Sequence, residues 1–337
     1  IFVIVLEGLG RAGILNWNDI LHQSRAAGTG AGWSAQPNQK ETGETYQDIA
    51  TRVGLQSDPI AYEYESDSYG FRNPDGTPAE IILLGDSIVL GAQVDRSETV
   101  DAVLQGRLGR PVMQVALLGL SIQAQHDLLR TSGIDLSGKT VVQFLFEGND
   151  LRDSASYRAQ QAQEGRAAGV ASSSFIRTVW GIAAKMTDPT PPLESADYCR
   201  IDGQPYLFLW LRRSFEGHMD ELDHIQKAIG AFAEEVRSKG GGYHLVFVPS
   251  KFRVLHPLCT FPEGSAIADA SQHLSDLPET MRSWSDDAGL PFFDLTAPLA
   301  EAAHDSRIPW LWGDTHWSAA GHAAAGQALA EWTIWQR

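Results

Sequence analysis

The chain has 337 residues, and its 26 basic and 42 acidic residues give a net charge of −16. That length can bury a full core in one large domain or two small ones. The acidity argues against nucleic acid or an anionic membrane surface as main partner, since both need basic patches, and favours neutral or cationic ligands.

The chain opens on Ile1–Leu6, six apolar residues without an initiating Met. Six are too few to span a bilayer, but they read as the tail of a membrane anchor or signal segment. Gly8-Leu-Gly10-Arg-Ala-Gly13 matches a dinucleotide fingerprint, yet no second strand ending in Asp or Glu follows about 20 residues on. Residues 14–80 show little periodicity and read as an extended arm with turns. Ser66–Gly76 is turn chemistry around one aromatic pair.

Ile81–Leu84 is a short apolar run entering Gly85-Asp86-Ser87, with Gly91 four residues after the serine. Such a run reads as a strand buried on both faces, followed by a tight turn into a helix. Ser87 is thereby placed at a sheet edge and a helix N-terminus, where free backbone N–H groups favour developing negative charge. A helix N-cap serine would read the same way.

Thr99–Leu108 looks helical, Val112–Leu118 is a second strand ending at Gly119-Leu120-Ser121, and Gln123–Thr131 is a helix. Thr140–Phe146 is a third strand ending at Glu147-Gly148-Asn149-Asp150. This rhythm predicts a parallel sheet with helices on both faces. Ligands of such sheets bind beyond the carboxyl ends of the strands, where Ser87, Gly119–Ser121 and Asn149 all fall.

Asp150–Pro192 is polar, rich in Ala, Ser and Gln, and breaks the rhythm as an insertion. Tyr198–Ile201 and Pro205–Leu209 flank Asp202-Gly203, a hairpin turn. Ser214–Lys239 is a long amphipathic helix, with Leu222, Ile225, Ile229, Phe232 and Val236 on one face. Tyr243–Val248 is a fourth strand, Met281–Ala288 a helix and Pro291–Leu295 a fifth strand. The chain closes on Gly313-Asp314-Thr315-His316-Trp317-Ser318 and an Ala-rich helix to Trp335.

Several of the ten tryptophans gather near this end (Trp310, Trp312, Trp317, Trp332, Trp335). Aromatic walls suit sugar rings, but tryptophan is also ordinary core material. The two cysteines, Cys199 and Cys259, cannot make a metal site alone. They could pair in an oxidising compartment or stay free in a reducing one, and the sequence leaves both open.

Asp314 and His316 are two residues apart at the entry to the last helix, so in extended backbone they point the same way. A carboxylate there can hold the imidazole Nδ1–H and leave the other nitrogen to take a proton from Ser87. The Asn149 amide can donate to a tetrahedral oxyanion beside the Ser87 N–H. Reading Asp314, His316 and His322 as metal ligands lacks any further acidic or histidine cluster. No metal and no organic cofactor is called for.

The ordered set of Ser, Asn and Asp-x-His resembles the SGNH (GDSL-type) hydrolase superfamily over about residues 66–335. Gly85-Asp86-Ser87 is similar to its first block, Gly148-Asn149-Asp150 to its third and Asp314-Thr315-His316 to its last. The resemblance implies a flavodoxin-like three-layer α/β/α fold with about five parallel strands. It implies Ser87 as nucleophile, His316 as base, Asp314 as acid, and Asn149 in the oxyanion hole. The second block departs from pattern. Gly119 is the expected second oxyanion donor, because close approach suits a residue without Cβ, and Ser121 stays open as the alternative. Tyr69-Gly-Phe-Arg72, Val248-Pro-Ser-Lys251 and Asp314–Ser318 resemble a membrane-anchored bacterial subgroup related to the alginate O-acetylation proteins. In those, however, the Asp-His pair precedes the serine. Lys251 reads as a surface or loop residue.

The expected organisation is an arm over 1–65, the end of a membrane anchor, and a hydrolase domain over 66–337 with an insertion at about 151–240. The expected activity is a serine esterase acting on O-acyl, most simply O-acetyl, groups of a small molecule or glycan, in an extracytoplasmic setting. A glycan O-acetyltransferase with the same triad, or a silent glycan-binding module, are the alternatives.

Overall fold

A computed structural model describes residues 36–76, 79–164, 197–208, 219–272 and 274–336. The Ile1–Leu6 stub, the Gly8–Gly13 motif and most of the polar segment after residue 164 lie outside them.

Five strands form one parallel sheet: β3 (Ile81–Gly85), β4 (Val112–Ala116), β5 (Thr140–Phe146), β8 (Gly242–Val248) and β9 (Phe292–Asp294), in the order β4-β3-β5-β8-β9. Relative to the first of these strands the order is 2-1-3-4-5, which is that of flavodoxin-like folds. Register is continuous, with Ile81 opposite Val112 on one side and Thr140 on the other, and Thr140 opposite Gly242. Every residue of β3 and β4 is buried. Strands buried on both faces carry continuous apolar runs, which is why Ile81–Leu84 shows no alternation.

The two faces are separated by the period of two along each strand. Ile81, Leu83, Val142, Phe144 and Val246 point to one side. There they meet α2 (Ser87–Leu90), α3 (Val100–Leu108), α9 (Thr296–His304) and α10 (Ala319–Ala330) through Val89, Leu104, Leu299 and Leu329. Ile82, Leu84, Val141, Leu145 and Phe247 point to the other side. They meet α4 (Ile122–Thr131), α6 (Met219–Ser238) and α8 (Leu277–Asp287) through Leu129, Ile225, Phe232 and Met281. The three-layer α/β/α fold expected from the resemblance is therefore present.

The Trp310 and Trp317 rings are core, 2% and 0% exposed, and Trp332 and Trp335 pack against it. These four tryptophans serve packing rather than an aromatic wall.

Several elements differ from expectation. Within the segment read as an irregular arm, β1 (Lys40–Thr45) and β2 (Ile60–Glu65) pair antiparallel around α1 (Asp48–Arg52). β1 is mostly exposed and carries no apolar alternation, whereas β2 alternates buried Tyr62 and Tyr64 with exposed Glu63 and Glu65, a period-two signal too short to stand out in the segment. Asp150–Glu164 is helix α5. Its Leu151 enters the core, but Ser154 and Arg158 make polar contacts, with Gln123 at 2.6 Å and with Glu221 of α6 at 2.5 Å, so it has no hydrophobic period to read. The short helices α7 (Lys251–Leu255) and α9 also escape the periodicity. The expected hairpin is present as β6 (Asp197–Ile201) and β7 (Gln204–Phe208), and a disulfide joins Cys199 to Cys259.

Arg72 explains part of the Tyr69–Arg72 motif. Its guanidinium is 1% exposed and donates to the Gly91, Leu90 and Val94 carbonyls at 2.6, 3.3 and 3.0 Å, and to Glu63 O at 3.2 Å. It thereby satisfies the orphan carbonyls at the C-terminal end of α2, the helix that Ser87 begins. Asn73 next to it bonds both backbone groups of Gln114, at 2.9 Å each, and so closes part of the outer edge of β4.

Candidate active site

The site is built at the carboxyl ends of β3, β4 and β5, where the strand order reverses. β3 delivers Asp86 and Ser87. Asp86 is the N-cap of α2, its Oδ1 accepting the Ile88 N–H at 3.0 Å. Ser87 is the first helical residue and is half-buried. Burial pushes the Asp86 carboxyl up to about 6, against the Ile88 hydrogen bond and the charge of His316.

His316 arrives from the loop between α9 and α10. Asp314 is fully buried, and its Oδ1 lies 2.6 Å from His316 Nδ1 and accepts the His316 backbone N–H at 2.9 Å. That carboxylate fixes the tautomer with the proton on Nδ1. Among the described residues, His316 Nε2 and Ser87 Oγ have no hydrogen-bond partner, so the imidazole keeps its accepting nitrogen. Gln93, six residues after Ser87, brings its amide nitrogen to 3.2 Å from Nδ1, but with the Nδ1 proton held on Asp314 that contact sets donor against donor and is not a hydrogen bond of this tautomer. Burial alone would lower the His316 pKa. The charge and hydrogen bond of Asp314, with Asp48 and Asp86 behind it, instead raise it to about 9.

β5 delivers Asn149 and Asp150. Asn149 Nδ2 donates to Asp153 Oδ2 at 2.8 Å, and Asn149 Oδ1 is buried without a protein partner. Asp150 is fully buried, its Oδ2 accepting the Phe146 N–H at 2.6 Å. Burial, and then the charge of Asp86, push its carboxyl well above the usual range. After β4, Gly119 is exposed with φ +68° and open space around its Cα, whereas Ser121 is 2% exposed and caps α4 through Ala124 N–H at 3.2 Å.

His322 does not join Asp314 and His316. Its Nδ1 accepts the Val100 N–H at 3.2 Å, and burial, with the charges of Arg72 and His316, drives its pKa down to about 3. The third group beside the pair is Asp48, which lies with Asp314 and His316 in one cluster.

A model of the GDSL-like lipase/acylhydrolase family matches residues 83–324, more than half of the chain. The chain belongs to that family. Comparison with curated protein sequences finds no match for this GDSL-like hydrolase. Among solved structures it is similar to the lipase/acylhydrolase from Enterococcus faecalis at 14% identity, covering 77% of this chain and 97% of that one, with a TM-score of 0.38. It is similar to the acetyl xylan esterase AlAXEase at 12% identity, covering 75% and 99%, with a TM-score of 0.42. It is also similar to a carbohydrate esterase family 2 enzyme with a carbohydrate-binding domain from Corynascus thermopiles (Myceliophthora fergusii). That match has 13% identity, covers 82% and 70%, and has a TM-score of 0.39. These likenesses are distant, and the family membership rests on the family model.

Three residues of this GDSL-like hydrolase, none of them among the expected site residues, hold the Asp314–His316 loop. Asp48 accepts the Thr315 N–H at 2.8 Å and the Thr315 hydroxyl at 2.7 Å, and its own N–H donates to Asp314 Oδ2 at 3.1 Å. Gln47 Oε1 accepts the Gly313 N–H at 2.6 Å. A Cβ on Gly313 would come within 2.8 Å of the Ala50 Cβ, so α1 can approach only a glycine there. Lys251 is the third, and here the expectation of a surface lysine is corrected. It is 6% exposed, and its ammonium donates to the carbonyls of Leu311, Trp312 and Asp314 at 2.7, 2.8 and 3.1 Å. Three carbonyls converging on one point need a compact triple donor, which only an ammonium supplies. Burial lowers its pKa to about 7 against the pull of Asp314 and Asp48. Asp48 lies 266 residues before Asp314, in a segment without apolar pattern, and gave no local signal.

Proposed function

We propose that this GDSL-like hydrolase is a serine esterase that removes O-acyl groups, acetyl in the simplest case, through an acyl-serine intermediate. The observation that carries the reading is the 2.6 Å contact of His316 Nδ1 with buried Asp314, which leaves Nε2 as the one accepting nitrogen of the neutral ring. In acylation, Ser87 Oγ bonds the ester carbonyl carbon while its proton passes to His316 Nε2. The tetrahedral oxyanion then collapses, the carbon–alcohol bond breaks, and His316 returns the proton to the leaving alcohol. Water repeats the sequence and releases the acid. Asp314 orients His316 and stabilises the imidazolium.

In this reading the oxyanion is held by the Ser87 and Gly119 backbone N–H groups and the Asn149 amide. Gly119 is preferred to Ser121 because its backbone is exposed at the strand end, while Ser121 is buried in capping α4. A sugar hydroxyl in place of water would make the same machinery an O-acetyltransferase. The Tyr69–Arg72 motif gives no reason to prefer that outcome, since Arg72 latches α2 whatever the acceptor. The Cys199–Cys259 disulfide supports an extracytoplasmic setting.

The test compares wild type with Ser87→Ala on an activated acetyl ester in the presence of oligosaccharides, dividing released acetyl between acetate and acetylated sugar by mass spectrometry. Acetate alone, lost in Ser87→Ala, is expected. Acetylated sugar dependent on Ser87 would make the protein a transferase. Turnover by Ser87→Ala at the wild-type rate would remove the mechanism.

A further inference from the structure

Asn149 stands immediately before α5, where an asparagine ordinarily turns its Oδ1 onto the free N–H groups of the first helical turn. It does not do so here. Oδ1 is buried without a protein partner, and Nδ2 instead donates to Asp153 Oδ2, one turn along the helix, at 2.8 Å. The other oxygen of Asp153 is occupied separately, by Arg152 Nε at 3.1 Å and Nη2 at 2.9 Å. The carboxylate is thus fixed on one side and offers a single acceptor to Asn149 on the other.

We propose that Asp153 is a positioning residue that sets which end of the Asn149 carboxamide faces the oxyanion. The proposal rests on Asn149 being an oxyanion donor, as read above. A carboxamide has two ends of nearly equal shape, and turning it by half a circle exchanges oxygen for nitrogen. A carboxylate accepts only, so the turned form would set Asn149 Oδ1 against Asp153 Oδ2 and is rejected. With one N–H on Asp153, the second hydrogen of Nδ2 is kept for the substrate. Without Asp153, nothing holds the nitrogen end in place, and the oxygen end facing an oxyanion would oppose the reaction.

Asp153 also acts in the opposite direction. Its negative charge reaches the site, since it raises the carboxyls of both Asp86 and Asp150. A negative charge there disfavours a second one on the substrate, and the Arg152 guanidinium reduces that effect. The two contributions separate cleanly, because orientation works only through Asn149 and charge does not.

The experiment measures kcat and KM for an acetyl ester in wild type, Asn149→Ala, Asp153→Ala, Asp153→Asn and Asn149→Ala/Asp153→Ala. Asn149→Ala is expected to lower kcat by about 10²–10³. Asp153→Ala is expected to lower it by about tenfold with KM within about twofold, and to cause no loss, or a slight gain, in the Asn149→Ala background. Asp153→Asn, which conserves shape, is expected to show the same dependence more weakly. An equal loss from Asp153→Ala in both backgrounds would assign Asp153 a purely structural role and overturn the proposal. So would wild-type kcat in Asp153→Ala while Asn149→Ala is slow. Wild-type kcat in Asn149→Ala would instead remove the reading of Asn149, and the proposal with it.

Discussion

His316 sits against three carboxylates, and its chemistry follows from that number. Asp314 bonds it directly, while Asp48 and Asp86 add further negative charge, so against the cost of burial the imidazolium is favoured up to about 9. A general base must start neutral, and at pH 7 only about 1% of such a ring would be. The ester kcat/KM is therefore expected to climb between about pH 7 and 9 and level off above. Asp48→Asn removes one of the raising charges while keeping an oxygen for the Thr315 N–H. The expected result is a rising limb displaced to lower pH, measured as a pH–rate profile of the two proteins side by side. An unmoved limb would mean that the Asp48 charge does not reach the ring. The same shift bears on stability. Because the folded pKa of His316 lies above its unfolded value, its contribution is complete below about 6.5 and is lost as pH rises through about 9.

The loop that carries this pair has no regular structure of its own and depends on the elements around it. Helix α1 grips it through Gln47 and Asp48, helix α7 through Lys251, and strand β7 through the Leu207 N–H, which donates to Trp312 O at 2.8 Å. Tyr206 and Phe208 of the same strand face the Lys251 ammonium at 5.5 and 5.8 Å. Here lies the division between what the sequence makes legible and what it does not. Ile81–Leu84 and Thr140–Phe146 announce their strands because continuous burial demands continuous apolar residues. Asp314 and His316 announce themselves because a two-residue spacing is enough to pair them. Asp48 and Lys251 act through long-range backbone contacts, for which no local pattern exists, and helix α5 hides because Leu151 is its one described side chain in the hydrophobic core, too few for a period. The β6–β7 hairpin is stapled by Cys199–Cys259, a closure of 60 residues. In the chain-entropy account a loop of that size contributes about 4 kcal/mol. Cys199→Ser/Cys259→Ser is expected to lower the unfolding free energy from urea titration by up to that amount, with a lower midpoint, and to reduce kcat, because the hairpin braces the Asp314–His316 loop. Unchanged midpoint and kcat would show that the staple bears on neither.

At the scale of the whole molecule, the net charge of −16 and the site's own carboxylates act in the same sense. Asp48, Asp86, Asp153 and Asp314 lie around the proposed reaction, which itself develops negative charge, with His316, Lys251 and Arg152 as positive partners. An approaching ester therefore meets a negative field before it meets the oxyanion donors. For an ester carrying a carboxylate, that field lowers the encounter rate. For one carrying a quaternary ammonium it raises the rate, and for a neutral acetyl ester it does neither. Raising ionic strength from about 0.01 M to about 1 M shortens the Debye length from about 30 Å to about 3 Å and removes the field beyond contact range. Across that series kcat/KM is expected to rise several-fold for the anionic ester, fall several-fold for the cationic one and stay level for the neutral one. The ordering should persist in Asp48→Asn with a smaller spread, because that change removes one charge of the local set and leaves the rest of the surface intact. A common salt response for all three esters would mean that the surface field does not extend to the Ser87 crevice, and that substrate charge is selected, if at all, only by contacts within it.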